Sequence, residues 1–489
     1  MGAARGADPD DGAAGGIVDD CGPDLGDQSQ HHRDARAGAA ARLTPADGRE
    51  GTMETIRGVF EGVRVLDLSE YIAGPLAGEM LADLGADVIK VEPPLGDFWR
   101  HTAPVAPGES RGFMGVNKGK RSISIDLKRP EGKEVFLRLV RTADILLANY
   151  RPGVAERLGV DYATLSAVNP RLIYCQNTAF GSAGPYRDRP GFDLVSQAMT
   201  GIMAFEGAGG LPHPIITTSP TDLAAGMFLA YGAAAALYHR ERTGRGQFIE
   251  TSLFAAGIAV QYRPMFSIER LDREQREQVL AAIAQARAEG RRVEEVLRGI
   301  PMRHETGRRN NPYYKVYETK DSYIALACLN NRLRRAAVRV LGVEDPRVEG
   351  DEFDTEALSP DENLVLNELI AAIFSTKTTD EWVAAFDTAG VPCGPVRYTA
   401  ELFDDPQVEA MELLRTFDHA VLGPVVMANS PLRMSGGETG TRLPSPALGQ
   451  HTREVLRELG FAEAEIEELI AAKAVRAWEP PAGAEGRRG

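Results

Sequence analysis

The sequence predicts an α/β fold: a doubly wound, mainly parallel sheet of Rossmann-like type, with a smaller α+β unit after it. Three observations predict it. A strand, a helix and a second strand succeed one another within residues 64–92. The alternation continues between residues 130 and 177. A new pattern then begins at Tyr313.

The run RVLDL (Arg64–Leu68) is apolar throughout and reads as a buried strand. In Ala73–Ala86 the apolar residues Leu76, Met80, Leu81 and Leu84 recur at helical spacing, and Gly85 closes the helix. DVIKVE (Asp87–Glu92) is the second strand, so the three form a βαβ unit with a right-handed crossover. A helix over Pro130–Arg141 and strands over Asp144–Asn149 and Leu172–Asn177 extend the sheet. Asp222–Arg242 is a long Ala-rich helix, followed by QFIETSLFAAGIA (Gln247–Ala259). Residues 268–299 are densely charged, with opposite signs four apart, and predict a solvated helix or helical hairpin. The second unit holds a strand at Ser322–Ala327, a helix at Asp380–Thr388 and a loop at Ala389–Val396; Leu422–Met434 returns to the first unit. The expected division is a disordered extension over 1–55, a large α/β domain over 58–260 completed by 422–478, a charged helical linker over 261–310, a small α+β domain over 311–421 and a loose tail over 479–489. Met53 is an alternative start.

The chain of 489 residues can bury a large core, and 43% hydrophobic with 26% charged residues is the balance of a soluble globular protein. No apolar run is long enough to span a bilayer, and the first residues carry no secretory signal pattern. A net charge of -15 argues against nucleic acid or an anionic membrane as partner. Cys21, Cys175, Cys328 and Cys393 form no metal-ligand spacing, and so few in a long chain fit a reducing, cytoplasmic setting. No glycine-rich dinucleotide or nucleotide-phosphate motif, no HExxH and no GxSxG is present.

Two basic stretches remain as candidate anion sites. In NKGKRSISIDLK (Asn117–Lys128), Lys118, Lys120 and Arg121 form either a solvated turn or a phosphate cradle. After the strand DILLAN, residues Asn149, Tyr150, Arg151 and Arg157 stand where open α/β sheets bind ligands, beyond the carboxyl end of a strand. A ligand with phosphates and a flat base would fit such a set. One carboxylate also stands out. In RPGFDLVSQAMTG (Arg189–Gly201), Asp193 lies between a Pro-Gly turn and an apolar helical run. It is either the N-cap of that helix or a reacting group. His213 reads as a loop residue.

From Gly62 to Met434 the ordered segments LDLSEYIAGPLAGEMLADLGADVIKVE, NKGKRSISIDLK, ANYRPGVAERLG, NPRLIY, FGSAGPYRDRPGFDLVSQAMTG, RTGRGQFIETSL, PYYKVYETKD and AGVPCGPV carry a resemblance. Together they resemble the family III CoA-transferases, the group of the formyl-CoA, carnitine and bile-acid CoA-transferases. The resemblance implies that Asp193 is the nucleophile. It would attack an acyl-CoA thioester to give a mixed anhydride, become an aspartyl-CoA thioester, and pass CoA to an acceptor carboxylic acid. It implies CoA contacts at Ile72, Ala73, Lys118, Arg121, Asn149, Tyr150 and Arg157, no metal or other cofactor, and a homodimer of two interlocked rings. It tips the basic turn towards the phosphate reading.

Acyl-CoA racemases of the same superfamily carry a His directly before the motif Asp. Phe192 stands there, so the proton-shuttling pair is incomplete, although a downstream acid exists as Asp222. Racemisation, or intramolecular transfer by an isomerase, is the alternative reading, and Asp222 is expected to shape the site. Phe113, Tyr150 and Met203 are candidate linings of an acyl pocket. The chain departs from the family pattern at Ala179, at Asp321-Ser322 and in the charged 268–299 segment, which stands where some members have a glycine-run loop.

Overall fold

The computed structural model describes residues 58–206, 212–297, 311–354 and 356–480. The expected disordered extension over 1–55, the linker beyond residue 297 and the tail beyond residue 480 therefore lie outside the described residues.

The first unit is built on a seven-stranded sheet. In chain order its strands are β1 (Arg64–Asp67), β2 (Asp87–Glu92), β5 (Arg121–Ile125), β6 (Ile145–Ala148), β7 (Ile173–Thr178), β8 (Phe248–Ser252) and β14 (Val475–Arg476). A short antiparallel pair, β3 (Pro104–Ala106) and β4 (Glu109–Ser110), stands apart from it. The spatial order is β14-β5-β2-β1-β6-β7-β8. Every neighbouring pair is parallel except β14 against β5. β1 is central, so both its faces are covered, and Val65 and Leu66 are fully buried.

Helices cover both faces. α1 (Ala73–Asp83), α2 (Arg111–Gly115), α3 (Pro130–Thr142), α4 (Val154–Leu158), α5 (Tyr162–Val168), α6 (Asp193–Thr200), α7 (Ile202–Glu206), α8 (Pro220–Thr243) and α9 (Leu253–Ala259) follow in order. On one face Val135, Phe136 and Leu139 of α3 join Leu165 of α5 and the strand residues Leu66, Ile89 and Leu146. On the other face Leu81 of α1 meets Leu229 and Ala233 of α8 over Val65, Val88 and Ile145. The alternation of strand residues between these clusters is the two-residue period of a pleated sheet.

Gly74 lets α1 start close to β1. A Cβ there would stand 2.3 Å from the Ser69 side chain, so a side chain at this position would force the helix off the strand end. That close start creates the turn Ser69–Ile72, which forms one wall of the cleft described below.

The charged segment is a helical hairpin, α10 (Glu269–Ala288) and α11 (Val293–Leu297), with Gly290 at φ +65 in between. Ala286 is the one buried residue of α10. The second unit carries a three-stranded antiparallel sheet in the order β11-β10-β9, from β9 (Tyr314–Glu318), β10 (Tyr323–Ala327) and β11 (Cys393–Pro395). β11 corrects the expectation of a loop over Ala389–Val396: Cys393 and Gly394 pair with Leu326 and Ala325. The core of this unit centres on Phe374, Trp382 and Phe386, whose rings touch one another. Residues 422–434 hold β13 (Gly423–Ala428), paired with β12 (Leu414–His419). The chain then reaches α1 again, where Gly440 N–H donates to the Asp83 carbonyl at 2.8 Å.

Candidate active site

The carboxyl ends of β1, β6 and β7 open onto one cleft of about 330 Å³. Each strand contributes the residues that follow it. β1 brings Glu70, Tyr71, Ile72 and Ala73; β6 brings Asn149, Tyr150 and Arg151; β7 brings Asn177, Thr178 and Ala179. The segment before α6 adds Arg187, Arg189 and Phe192, and the first turn of α8 adds Asp222. This is the position at which open α/β sheets bind ligands.

The walls are tied together from below. The Asn149 side chain accepts from Glu70 N–H at 3.0 Å and donates to the Glu70 carbonyl at 2.7 Å. Tyr71 adopts φ 67, a left-handed conformation that costs energy for a residue with a Cβ. Its N–H donates to Asp97 Oδ1 at 3.2 Å, and its ring packs edge-on against Phe192 at 5.2 Å. Glu70, facing this cleft, is pushed up to about 7 by burial and by the charge of Asp97. Glu70 and Tyr150 also line a smaller neighbouring cavity of about 140 Å³, whose far wall is Ile125–Lys128.

Asp193 resolves the choice between cap and reacting group in an unforeseen way. It is not the N-cap of α6; Phe192 holds that position and makes no side-chain cap bond. Asp193 is instead the first helical residue, and its carboxylate caps a different helix. Its Oδ1 accepts from Thr221 N–H at 2.8 Å, from Thr221 Oγ1 at 2.6 Å and from Asp222 N–H at 3.3 Å. These are first-turn donors of α8, which would otherwise lack partners, since Ser219 at its N-cap makes no side-chain bond. The 24-residue helix thus directs the positive end of its dipole at this carboxylate.

Oδ2 accepts from Gln197 Nε2. Gln197 is itself held by Ile215, which donates its N–H to Oε1 and accepts from Nε2, both at 2.9 Å. That pairing fixes which end of the amide faces the acid. Asp193 is 8% exposed and does not line the cleft, whereas its neighbours Phe192 and Asp222 do. Asp222 is pushed up to about 7 by burial and by the charge of Asp193.

Of the residues expected at CoA, Ile72, Ala73, Asn149 and Tyr150 line the cleft. Arg157 is exposed on α4 and lies outside it. Lys118 and Arg121, expected at the phosphates, do not line the cleft, and both have protein partners. Lys118 is buried against Glu79. Arg121 binds Asp87 at 2.7 Å and Glu454 at 2.8 Å, far along the chain. Lys120 is fully buried and donates to Asp67 Oδ2 at 2.8 Å, to the Pro75 carbonyl at 2.7 Å and to Asn117 Oδ1 at 2.8 Å. The basic turn therefore braces α1 against the sheet. Phe113 is also not an acyl-pocket wall, because it is fully buried with the Arg100 guanidinium 3.6 Å from its ring centre. Met203 does not line the cleft either.

The sequence reading missed Gln197, Thr221, Glu70, Tyr71, Arg187 and Arg189. Only Gln197 had a local signal: it lies four residues after Asp193, on the same helix face.

The chain is similar to known proteins over most of its length. The sequence profile described as CoA-transferase family III matches residues 60–452. The chain is 32% identical over 417 residues to a succinyl-CoA:glutarate CoA-transferase of Mus musculus, covering 84% of this chain and 89% of the mouse protein. It is 33% identical over 425 residues to an acetyl-CoA:oxalate CoA-transferase of Acetobacter aceti, covering 85% and 99% of the two chains. Among solved structures, a CAIB/BAIF family protein from Brucella suis matches with a TM-score of 0.65 and 30% identity, over 82% of this chain and 100% of that chain.

Proposed function

The chain belongs to CoA-transferase family III and is a CoA-transferase, and from that premise we propose that Asp193 is the residue that carries CoA between an acyl-CoA and a free carboxylic acid. The observation that carries the reading is the buried Asp193 carboxylate, held by α8's first turn directly beside the cleft. Helix dipole and donors orient it and would stabilise negative charge on it, which suits a nucleophile. The two oxygens have different surroundings. Oδ1 receives three bonds and Oδ2 one, so Oδ2 makes the attack.

Attack of Oδ2 on the thioester carbon forms a mixed anhydride and expels the CoA sulfur. That sulfur then attacks Cγ of Asp193. The charge of this second tetrahedral species develops on Oδ1, where Thr221 N–H, Thr221 Oγ1–H and Asp222 N–H already stand. The donor acid leaves and an aspartyl-CoA thioester remains. An acceptor carboxylate then runs the same steps in reverse. The scheme uses no metal or redox cofactor.

In this reading the pantetheine arm runs past Ile72, Ala73, Asn149 and Tyr150. Arg151, Arg187 and Arg189 at the cleft, with Arg157 on α4, supply the charge for the phosphates. The active assembly is a homodimer of interlocked rings. Racemisation and intramolecular transfer remain the competing chemistry, supported by the presence of Asp222 and opposed by Phe192.

The test mixes acyl-CoAs with isotope-labelled free acids and follows label into the thioester pool by mass spectrometry. Wild type should incorporate label and Asp193→Ala should not. Solvent deuterium at the α-carbon, or a rearranged acyl-CoA without label uptake, would replace intermolecular transfer by the competing chemistry.

A further inference from the structure

Two carboxyl groups meet at the first turn of α8, and they differ in surroundings. Asp193 lies behind the cleft wall with both oxygens hydrogen-bonded. Asp222 lines the cleft, and its carboxyl makes no hydrogen bond to a described residue, although its N–H reaches Asp193 Oδ1 at 3.3 Å. Burial and the neighbouring anion keep the Asp222 carboxyl protonated up to a pH of about 7. The charged and titratable groups around it are Asp193 from α6 and, across the cleft, Glu70, Tyr71, Tyr150, Arg151, Arg187 and Arg189. A cleft-lining carboxyl raised by burial beside a second carboxylate marks a candidate proton donor.

We propose that Asp222 is a catalytic residue that protonates the departing CoA sulfur and takes the proton back when that sulfur attacks. The proposal rests on the nucleophilic role of Asp193. When Oδ2 of Asp193 bonds to the acyl carbon, the carbon–sulfur bond breaks and sulfur leaves with the electron pair. The Asp222 proton moves to that sulfur, leaving an Asp222 carboxylate and a neutral CoA thiol. In the next step the Asp222 carboxylate removes the thiol proton as sulfur bonds to Cγ of Asp193. The Cγ–Oδ2 bond breaks with its electron pair going to Oδ2, and Oδ2 leaves with the donor acyl group as the donor acid's carboxylate. Acceptor acid and sulfur repeat the two transfers in the opposite order.

The two acids are coupled. Before attack, Asp193 is negative and Asp222 neutral; after it, Asp193 is acylated and neutral and Asp222 negative. Across the first attack the two acids carry one negative charge between them. Acylation also removes the repulsion that kept the proton on Asp222, so Asp222 becomes the stronger acid as the thiolate appears. An unperturbed thiol near 8.5 is within roughly two units of the resting acid, close enough for transfer in either direction.

The experiment compares wild type, Asp222→Asn, Asp222→Glu and Asp193→Ala by label exchange between pH 5.5 and 9, and by intact-mass detection of the enzyme–CoA adduct. Asp222→Asn should slow adduct formation by about 100-fold and lose the limb of the rate profile that titrates near pH 7. Asp222→Glu should recover part of both. An Asp222→Asn protein with wild-type rate and profile, beside an inactive Asp193→Ala, overturns the role of Asp222 and leaves Asp193 in place. Exchange that survives Asp193→Ala overturns both. A carbon-13 NMR titration of aspartate carboxyls in wild type is independent of any variant's folding. A carboxyl titrating near 7 that moves down when the adduct forms is the expected result, and its absence overturns the proposal.

Discussion

At the scale of single residues, the site is a set of side chains whose partners decide what they can do. Lys120 shows how firmly a partner binds a role. Burial pushes its amine down to about 8, and Lys120 and Lys90 together hold the Asp67 carboxyl at about 2 despite its burial. Lys120→Met would leave a buried carboxylate undercompensated beneath α1. The expected loss is about 3–5 kcal/mol of unfolding free energy, read by urea denaturation. The proposed mechanism gives Thr221 a catalytic weight. Thr221→Val keeps the shape and the backbone donor but deletes the hydroxyl bond to Asp193 Oδ1. Label exchange should fall by about 10–100-fold with little change in KM for the acyl-CoA, because the bond counts most when charge develops on that oxygen. Residue types singled Asp193 out in the sequence as an N-cap or a reacting group, and the family resemblance implied the second. They could not reveal Thr221, which lies 28 positions further along the chain. They displayed the charges of Lys118 and Arg121 but not the acids that pair with them, Glu79, Asp87 and Glu454.

Among elements, the packing of α1 on α8 sets the width of the cleft. Gly226 makes this contact possible, because a Cβ there would stand 2.7 Å from the Ala73 carbonyl and 3.0 Å from Leu76 Cδ2. Gly226→Ala should push the start of α1 outwards, cost about 1–3 kcal/mol and raise KM for acyl-CoA through displacement of Ile72 and Ala73. Equilibrium unfolding and steady-state kinetics check the two halves separately. Elements with a strong period were legible from sequence: Asp87–Glu92 is a strand with the expected ends, and the long Ala-rich helix extends from Pro220 to Thr243 rather than from Asp222 to Arg242. β11 was not, because a three-residue strand containing Gly394 and Pro395 has no period and exists only through pairing with β10.

The whole molecule carries the sum of its displaced titrations. Burial, as the largest cause, pushes Glu70, Glu109 and Asp222 up to about 7 from ordinary values of 4.5, 4.5 and 3.8. The folded chain therefore keeps protons that the unfolded chain has already lost. Their stabilising effect is complete below the ordinary values and disappears as pH rises through 7. Burial moves His419 and His451 the other way, so their effect is complete once pH exceeds 6.5. Between pH 6.5 and 7.5 the carboxyls dominate, and Tm should fall across that interval; Asp222→Asn should make the fall shallower. Scanning calorimetry at the two pH values checks both statements. Exposed apolar side chains such as Tyr231, Tyr238, Tyr262 and Phe266 support the proposed dimer. Light scattering after size exclusion should give twice the chain mass of 52.9 kDa.

The antiparallel strand β14 has a consequence in time. It covers the free edge of β5, with Val475 opposite Ile125. A ribosome adding about 5–20 residues per second needs tens of seconds to travel from one to the other. During that interval β5 emerges with an uncovered row of backbone donors and acceptors, open to any strand nearby. A message truncated before codon 475 should therefore yield aggregates rather than a smaller soluble enzyme, which sedimentation of the truncated product checks.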